Sequence, residues 1–345
     1  MRLRLLYLLA ALLSAGCASS APAATLPSGA WGRVTAEVNL GLTAGTPVYG
    51  DGYLWVPDID HGALWKVDPR AGRVVAHIAI GDRQVLLSNH CGPPTVHAYA
   101  AGNFYIRACN LPPAVAVAPG AVWVLRTDND TLMRLDPVTD RLVATVPIGM
   151  PGWDLTASAT DVWVTSYFDN AVVHVDAVAN RVIATLNGFP DGPTGIATGF
   201  GSVWVASSRT ASLVRLDPRT NRIVDSILLD AGPQYLLSRP LPVVIADGSV
   251  WTRLEYYSQV DRIDPSTDKV IARVPVEAFY GQDGLDGMGV QNGRLWVSGL
   301  TIEEIDPQRD AVLRRLPLTG ITLTFGGGNL WALDIGGPLY RIQAS

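Results

Sequence analysis

The chain has 345 residues, with 26 lysine and arginine residues against 31 aspartate and glutamate residues, and a formal net charge of −5. Charges of both signs are interspersed without a basic run, which argues against nucleic acid as a partner. No segment beyond the N-terminal stretch reaches the roughly 18 consecutive apolar residues of a membrane-spanning helix.

The first segment has the layout of a bacterial export signal. Arg2 and Arg4 precede an apolar stretch that ends in small residues before Cys17, as in a lipobox. We predict a lipoprotein-type signal over residues 1–17, with cleavage before Cys17 and lipidation of that cysteine. Ser14 stands where the lipobox usually has leucine, so ordinary signal cleavage further along remains an alternative.

That alternative cleavage site lies near Ala21-Pro22-Ala23. Residues 18–30 are rich in alanine, serine and proline without a hydrophobic period, which predicts a tether. The expected location is the bacterial cell envelope through a lipid anchor, or otherwise the periplasm or the extracellular space.

A tripeptide with a central tryptophan recurs seven times. Successive tryptophans are 68, 40, 41, 47, 45 and 35 residues apart, and a period near forty with β-type residues is typical of propeller blades. We predict an all-β, seven-bladed β-propeller of four-stranded blades over residues 31–345, with each tryptophan buried in a second strand. These tryptophans are Trp55, Trp123, Trp163, Trp204, Trp251, Trp296 and Trp331.

The first predicted strand, residues 32–41, repeats the pattern of a fourth strand at residues 73–81. The last unit ends after a third strand, near Ile342. We therefore predict that the N-terminal strand completes the last blade, because a ring closed in this way has no free edge to aggregate.

An insertion at residues 82–112 lengthens the first gap between tryptophans. Its Cys91 and Cys109 are predicted to form a disulfide in an exported protein, with a metal site involving His90 and His97 as the alternative. The insertion either caps the rim of the propeller or is a structural bulge, and the sequence leaves both open.

Residues 193–230 show one blade best, as four short β-type runs joined by turns. Asp217-Pro218 suits the first positions of a type I turn between the third and fourth strands, and the motif recurs in most units. These turns are predicted to be architectural.

One third-strand position is polar in most blades, and strand alternation predicts that it faces solvent. His174 occupies it in one blade, and His77 on a fourth strand is predicted to be exposed as well. The residues that fill this third-strand position in other blades are Lys66, Arg134, Arg215, Arg262 and Arg341.

The motif Gly-Ser-Val-Trp-Val, followed by Val-x-x-Asp-Pro-x-Thr-x-x-Val, resembles the bacterial YVTN-type and streptogramin B lyase-like (virginiamycin B lyase-like) seven-bladed propellers. The resemblance covers about residues 32–343 and implies the fold. Lyases of that group are metal-dependent and cleave a cyclic depsipeptide by elimination, using histidine and glutamate from late blades. This chain has no histidine after His174, so no catalytic residue is carried over.

Loops that enter first strands and loops that leave second strands share one rim of a propeller, around the central channel. Charged and aromatic residues there are typical of a site for a polar small molecule or a peptide, although loop tips are polar in most proteins. Arg126, Arg209 and Arg253 are predicted to project toward this rim. The candidate ligand-binding residues are Asp58, His61, Arg126, Asp154, Tyr167, Asp191, Arg209, Arg253, Glu255, Tyr257, Asp283, Asp286 and Asp334.

We expect an exported, lipid-anchored propeller that binds a small polar molecule, a peptide or a protein at its mouth. Membrane contact is expected through the anchor only, and nucleic acid is not expected to bind. No catalytic residue, metal site or cofactor is evident from the sequence. The alternative is a lyase or hydrolase with an active site unlike that of the lyase family, which a base beside paired carboxylates and a divalent ion would favour.

Overall fold

A computed structural model describes residues 32–40, 45–58, 62–81, 95–99, 102–106, 114–126, 129–190, 192–229, 240–254, 258–277, 287–299, 301–318, 321–334 and 338–343. For residues 95–99, 102–106, 240–241, 321 and 334 it describes the backbone only. Within these ranges every regular element is a β-strand, and no helix there is long and apolar enough to cross a bilayer. The expected signal and tether, residues 1–17 and 18–30, lie outside them.

Seven four-stranded antiparallel sheets form the blades, as predicted. Blade 1 contains β2 (Val48–Gly50), β3 (Tyr53–Asp58), β4 (Ala63–Asp68) and β5 (Arg73–Ala79). Blade 2 contains β8 (Ala114–Ala118), β9 (Ala121–Arg126), β10 (Thr131–Leu135) and β11 (Leu142–Pro147). Blade 3 contains β12 (Asp154–Ala157), β13 (Asp161–Ser166), β14 (Ala171–Asp176) and β15 (Arg181–Asn187).

The later blades follow the same order. Blade 4 contains β16 (Pro193–Gly199), β17 (Ser202–Ser207), β18 (Ser212–Asp217) and β19 (Arg222–Leu228). Blade 5 contains β20 (Pro240–Ala246), β21 (Ser249–Leu254), β22 (Gln259–Asp264) and β23 (Lys269–Pro275). Blade 6 contains β24 (Met288–Gln291), β25 (Arg294–Ser298), β26 (Ile302–Asp306) and β27 (Ala311–Leu316).

Blade 7 is built from both ends of the chain, which confirms the predicted closure. It contains β28 (Ile321–Gly326), β29 (Asn329–Asp334), β30 (Leu339–Ile342) and, as its outer strand, β1 (Val34–Val38). In the antiparallel pair of β1 with β30, Val38 is opposite Leu339. First strands of adjacent blades contact one another around the whole ring, from β2 through to β28 and back to β2, so they line the central axis.

The core lies between blades. Seven clusters of buried residues each join side chains of two neighbouring blades, and the tryptophan of every second strand is buried in one of them. In several blades the indole Nε1 donates to a carbonyl at the end of its own first strand, as Trp204 does to Gly199 (3.1 Å). A buried indole thus fills the space between sheets and still satisfies its polar atom.

Because the strands are antiparallel, the ring has two distinct faces. We call the face with the loops before first strands and after second strands the mouth, and the face with the Asp-Pro turns the turn face. In these turns the aspartate accepts hydrogen bonds from backbone N–H groups, as Asp68 does from Arg70 (2.8 Å) and Ala71 (3.1 Å). These bonds lower the pKa of the Asp68 carboxyl. The Asp-Pro motif is therefore architectural, as predicted.

The polar third-strand position lies between blades and not in solvent. Arg215 of blade 4 donates to the Pro265 carbonyl (3.1 Å) and the Asp268 carboxylate (3.0 Å) in the turn of blade 5. Its guanidinium also lies 5.3 Å from the centre of the Trp204 ring. We call such contacts inter-blade clamps; the others join Lys66 to Pro137 and Asp140, Arg134 to Ala177 and Asn180, His174 to Asn221, Arg262 to Pro307 and Asp310, and Arg341 to Pro69 and Arg70.

The prediction that His174 is exposed is wrong. Its Nδ1 lies 2.7 Å from Asn221 Oδ1 in the next blade, its Nε2 lies 2.8 Å from Asp161 Oδ1, and its ring stacks on Trp163. The next blade's turn covers this part of the strand, so both strand faces are buried. His77, on an outer strand, is exposed as predicted.

Blade 6 has no clamp of this kind among the residues that the structure describes. Its clamp position holds Glu304, which accepts a hydrogen bond from Arg314 Nε (2.6 Å) in the same blade. The following blade has no Asp-Pro turn to receive a cation, because β30 and β1 come from opposite ends of the chain. The exception therefore follows from the way the ring closes.

The predicted insertion at residues 82–112 is described only in part. It contains a two-stranded antiparallel sheet of β6 (Thr95–Tyr99) and β7 (Gly102–Ile106). The predicted disulfide residues Cys91 and Cys109 lie outside the described residues, as does Cys17. The disulfide and the lipidation therefore stay predictions.

Candidate functional site

The antiparallel topology places the starts of first strands and the ends of second strands at the mouth, as the sequence predicted. Of the candidates, Asp58, Arg126, Asp154, Tyr167, Arg209 and Arg253 are described with their side chains, and Asp334 is the last residue of β29. His61, Asp191, Glu255, Tyr257, Asp283 and Asp286 lie outside the described residues.

Two of these candidates come together with two further aromatic residues between blades 3 and 4. The Tyr167 ring lies 4.9 Å from the Trp153 ring and 5.2 Å from the Phe168 ring, and the Arg209 guanidinium lies 5.1 Å from the Tyr167 ring centre. We call Trp153, Tyr167, Phe168 and Arg209 the aromatic–arginine cluster. Tyr167 is buried, whereas the other three are half-buried and present surface to the mouth.

Hydrogen bonds from the second strands hold the loops of this cluster. Ser166 Oγ donates to the Pro151 carbonyl (2.7 Å) just before Trp153, and Ser207 Oγ donates to the Pro190 carbonyl (2.9 Å) in the next blade. Both serines are the last residues of their strands, so two equivalent contacts fix two successive loops. The cluster is therefore built on the rigid ends of the sheets.

Gly192, in the loop before blade 4, lies close to the cluster. Its N–H donates to Asn170 Oδ1 (2.9 Å) and its carbonyl accepts from Ser208 Oγ (3.0 Å). Its φ is +74°, and a Cβ there would lie 3.0 Å from the Tyr167 ring and 3.2 Å from Arg209 Cγ. Glycine is thus required here by backbone conformation and by space.

Asp154 lies next to Trp153 at the start of the innermost strand of blade 3. Its half-buried carboxylate accepts from the N–H of Leu155 (2.8 Å) and from the N–H of Ile196 in blade 4 (3.3 Å). Burial nevertheless raises the pKa of Asp154 to about 6, against the weaker opposing effect of these two hydrogen bonds. The carboxyl therefore changes charge within the mildly acidic range.

Two other candidates contact residues of blade 1. Asp58 is buried, and its Oδ2 lies 3.3 Å from Nε2 of His77 in the same blade. The guanidinium of Arg126 packs against Gly81, at the end of the outer strand of blade 1.

Arg253 lies near the end of the second strand of blade 5, on the mouth side. Its side chain is 1% exposed and donates to the Ser298 carbonyl, at the end of the second strand of blade 6. The next blade therefore covers this arginine, and its part in ligand binding stays a prediction.

Phe168 and Gly192 were not among the predicted site residues, which are mostly charged residues and tyrosines. A signal for both existed in the sequence, since Phe168 directly follows Tyr167 and Gly192 follows Asp191 in a loop with Gly188. Neither residue type carries chemistry on its own, so only the packing reveals their part in the cluster.

The arrangement offers three kinds of group to a ligand. Arg209 offers a guanidinium for a carboxylate or phosphate, Trp153 offers a ring face for stacking, and Asp154 offers a carboxylate for a cation above about pH 6. Among the described residues, no group of three or more histidine, cysteine, aspartate or glutamate side chains is placed to hold a metal ion.

Comparisons with solved structures agree with the fold. The streptogramin B lyase structure superposes with a TM-score of 0.67 at 13% identity, covering 91% of this chain and 99% of that one. Hydrazine synthase of Kuenenia stuttgartiensis superposes with a TM-score of 0.65 at 14% identity, covering 89% of this chain and 97% of that one. The computationally designed Ika8 protein superposes with a TM-score of 0.59 at 12% identity, covering 90% of this chain and 100% of that one. No family model and no curated protein sequence matches the chain. At such identities the likeness concerns the fold alone.

Proposed function

We propose that the protein is an exported, lipid-anchored binding module of the YVTN-type or streptogramin lyase-like kind, whose propeller binds a zwitterionic polar ligand or a peptide at the mouth between blades 3 and 4. The observation that carries the proposal is the aromatic–arginine cluster beside Asp154. Trp153 and Arg209 both contact Tyr167 or lie over its ring, and Asp154 directly follows Trp153 at the start of β12.

The ligand class follows from the chemistry of these groups. Arg209 recognises a carboxylate, Trp153 stacks against a flat or aromatic group, and Asp154 pairs with an amine. A short peptide with free termini and one aromatic side chain carries all three features.

Calorimetric titration with the tripeptide Gly-Phe-Gly tests this assignment. Its C-terminal amide should bind about tenfold or more weakly to the wild-type protein, because a charge-assisted contact with Arg209 is lost. Arg209→Ala should bind the free tripeptide more weakly by a similar factor. Amidation of the peptide should not lower the affinity of this variant any further, because the contact is already absent. N-terminal acetylation of the peptide should likewise weaken binding to the wild-type protein and should not weaken binding to Asp154→Asn any further.

Arg219→Ala is the matched control, because Arg219 is an exposed arginine of the same blade on the turn face. It should bind all peptides like the wild-type protein. Equal affinities for free and amidated peptides in wild type and in Arg209→Ala, or no binding of any peptide, would refute the proposed site.

The lipid anchor is tested separately. Cys17→Ser should move the exported protein from the detergent phase to the aqueous phase in a Triton X-114 separation, since acylation supplies the apolar anchor. An aqueous wild-type protein would refute the anchor and leave the peptide site untouched.

A further inference from the structure

Apolar side chains stand at the tips of the turn face in three adjacent blades. Val138 of blade 2 is 87% exposed, Val178 of blade 3 is 69% exposed and Phe200 of blade 4 is 46% exposed. We call these three residues the apolar tips. The residues that match Val138 and Val178 in the turns of the other blades are polar, namely Arg70, Arg219, Ser266 and Gln308.

Phe200 is retained at a conformational cost. It opens the turn between β16 and β17 with a φ of +54°, in the left-handed region. At the same turn position Asp51, Asp247 and Asn292 also have positive φ, and these residue types tolerate it far better than a bulky aromatic. Phe200 is therefore strained and exposed at a position where other blades have aspartate or asparagine. This points to a contact between Phe200 and a partner or surface outside the chain.

The chain enters the propeller at this same face. Arg341 Nε donates to Thr35 Oγ1 (2.9 Å) near the start of β1, and Arg341 Nη1 donates to the Arg70 carbonyl (3.1 Å) in the Asp-Pro turn of blade 1. The residues that precede β1 therefore join the propeller at the turn face. A lipid on Cys17 would therefore connect to the propeller at that face, through the predicted tether.

We propose that the apolar tips rest in the interfacial layer of a lipid bilayer, so that the mouth points away from the membrane. This deepens the proposed function, since it orients the anchored propeller and extends the expected membrane contact beyond the anchor alone. Exposed arginines flank the tips and suit the headgroup level; they are Arg141, Arg181, Arg219 and Arg222.

The insertion of apolar groups, and not bulk charge, drives this contact. The chain has a net charge of −5, so an anionic surface does not attract the molecule as a whole. Partition should therefore depend little on salt and should not require anionic lipid, in contrast to binding by a polybasic segment.

Flotation of the full chain carrying Cys17→Ser tests the contact without the anchor. The probes are protein-free vesicles of phosphatidylcholine, with and without phosphatidylglycerol. The triple variant Val138→Asp, Val178→Asp, Phe200→Asp should lose about tenfold or more of the vesicle-bound fraction.

A second triple variant, Val75→Asp, Ile271→Asp, Leu313→Asp, is the matched control. It adds the same charge at exposed aliphatic positions on the outer strands of blades 1, 5 and 6. It should float like the chain with Cys17→Ser alone.

Phe200→Asn keeps the proposal testable if the triple variant folds poorly. Asparagine suits the left-handed turn, so this variant should melt at a higher temperature and yet bind vesicles less well. Equal loss in both triple variants, release by salt, or no flotation of the Cys17→Ser chain on either vesicle would overturn the membrane contact. Peptide binding at the mouth would stand in each case.

Discussion

At the scale of single residues, Asp154 combines a stability cost with a functional position. Its carboxylate is half-buried beside the aromatic–arginine cluster, and no cation among the described residues offsets the desolvation that raises its pKa. A side chain that lowers stability in this way fits a site that is selected for binding.

The raised pKa of Asp154 predicts a pH dependence with a definite sign. The folded protein holds this proton up to about pH 6, whereas an unfolded aspartate releases it near 3.8, so stability falls as pH rises through that window. Near pH 3.8 Asp154→Asn should have the same free energy of unfolding as the wild-type protein. At neutral pH its free energy of unfolding should be higher by on the order of 1–3 kcal/mol. Urea unfolding at both pH values measures the difference. A difference independent of pH would contradict the buried carboxylate.

Gly192 allows a second residue-scale prediction with a control in the same loop. Gly192→Ala adds backbone strain and a contact with Tyr167 and Arg209, so it should weaken peptide binding and lower stability by about 1–3 kcal/mol. Gly188→Ala adds similar strain at φ +70° but meets nothing within 4 Å. It should lower stability only. Calorimetry and thermal melts separate the two effects, and equal affinities in both variants would exclude Gly192 from the site.

At the scale of strands and turns, the inter-blade clamps of the described residues connect the third strand of every blade except blade 6 to the third-to-fourth-strand turn of the next blade. In blade 4 the Arg215 guanidinium lies over the ring of Trp204 and donates to the Pro265 carbonyl in the Asp-Pro turn of blade 5. The repeated turn is therefore both a strand connection and an acceptor for the neighbouring blade.

Arg215→Ala should destabilise the protein by about 1.5–3 kcal/mol, because a largely buried charge-assisted contact is lost and Asp268 is left without its partner. Arg219→Ala, four residues further along and 89% exposed, should change stability by less than about 0.5 kcal/mol. Chemical denaturation compares them. Similar values for both would mean that the clamp contributes nothing.

Strand patterns predicted the blades well and the environment of single side chains less well. The tryptophan period and the Asp-Pro turns determine where strands begin and end, because every blade needs them. Alternation placed His174 in solvent, whereas it is buried between blades. Both faces of a propeller blade are interfaces, so a period of two does not separate inside from outside there.

The candidate site was predictable only in part for a similar reason. Topology brings all second-strand ends to one face, which the sequence revealed, and Asp154, Tyr167 and Arg209 were singled out on that ground. Tyr167 and Arg209 contact each other between blades 3 and 4, whereas Asp58 and Arg126 contact residues of blade 1. These contacts depend on side-chain packing, which the spacing of residues in the sequence does not reveal.

At the scale of the whole molecule, the closure through β1 determines whether the ring is stable. Deletion of residues 26–41 removes β1 and exposes the edge of β30 together with buried neighbours of Val38. The shortened protein should aggregate or melt at a much lower temperature. A monomer with an unchanged melting temperature would contradict closure by the N-terminal strand.

The two faces of the ring have separate proposed roles. The proposed ligand site lies at the mouth between blades 3 and 4, and the apolar tips proposed to contact the membrane lie on the turn face. Ligand binding and membrane contact should therefore be separable by mutation.

Hydrogen–deuterium exchange of the full chain with and without Gly-Phe-Gly locates the bound peptide without assuming any residue. We expect slower exchange on binding in residues 151–154, 167–170, 188–192 and 208–211, with no change in the turns around Val138 and Val178. Protection confined to the insertion at residues 82–112, or to the turn face, would contradict a binding site between blades 3 and 4.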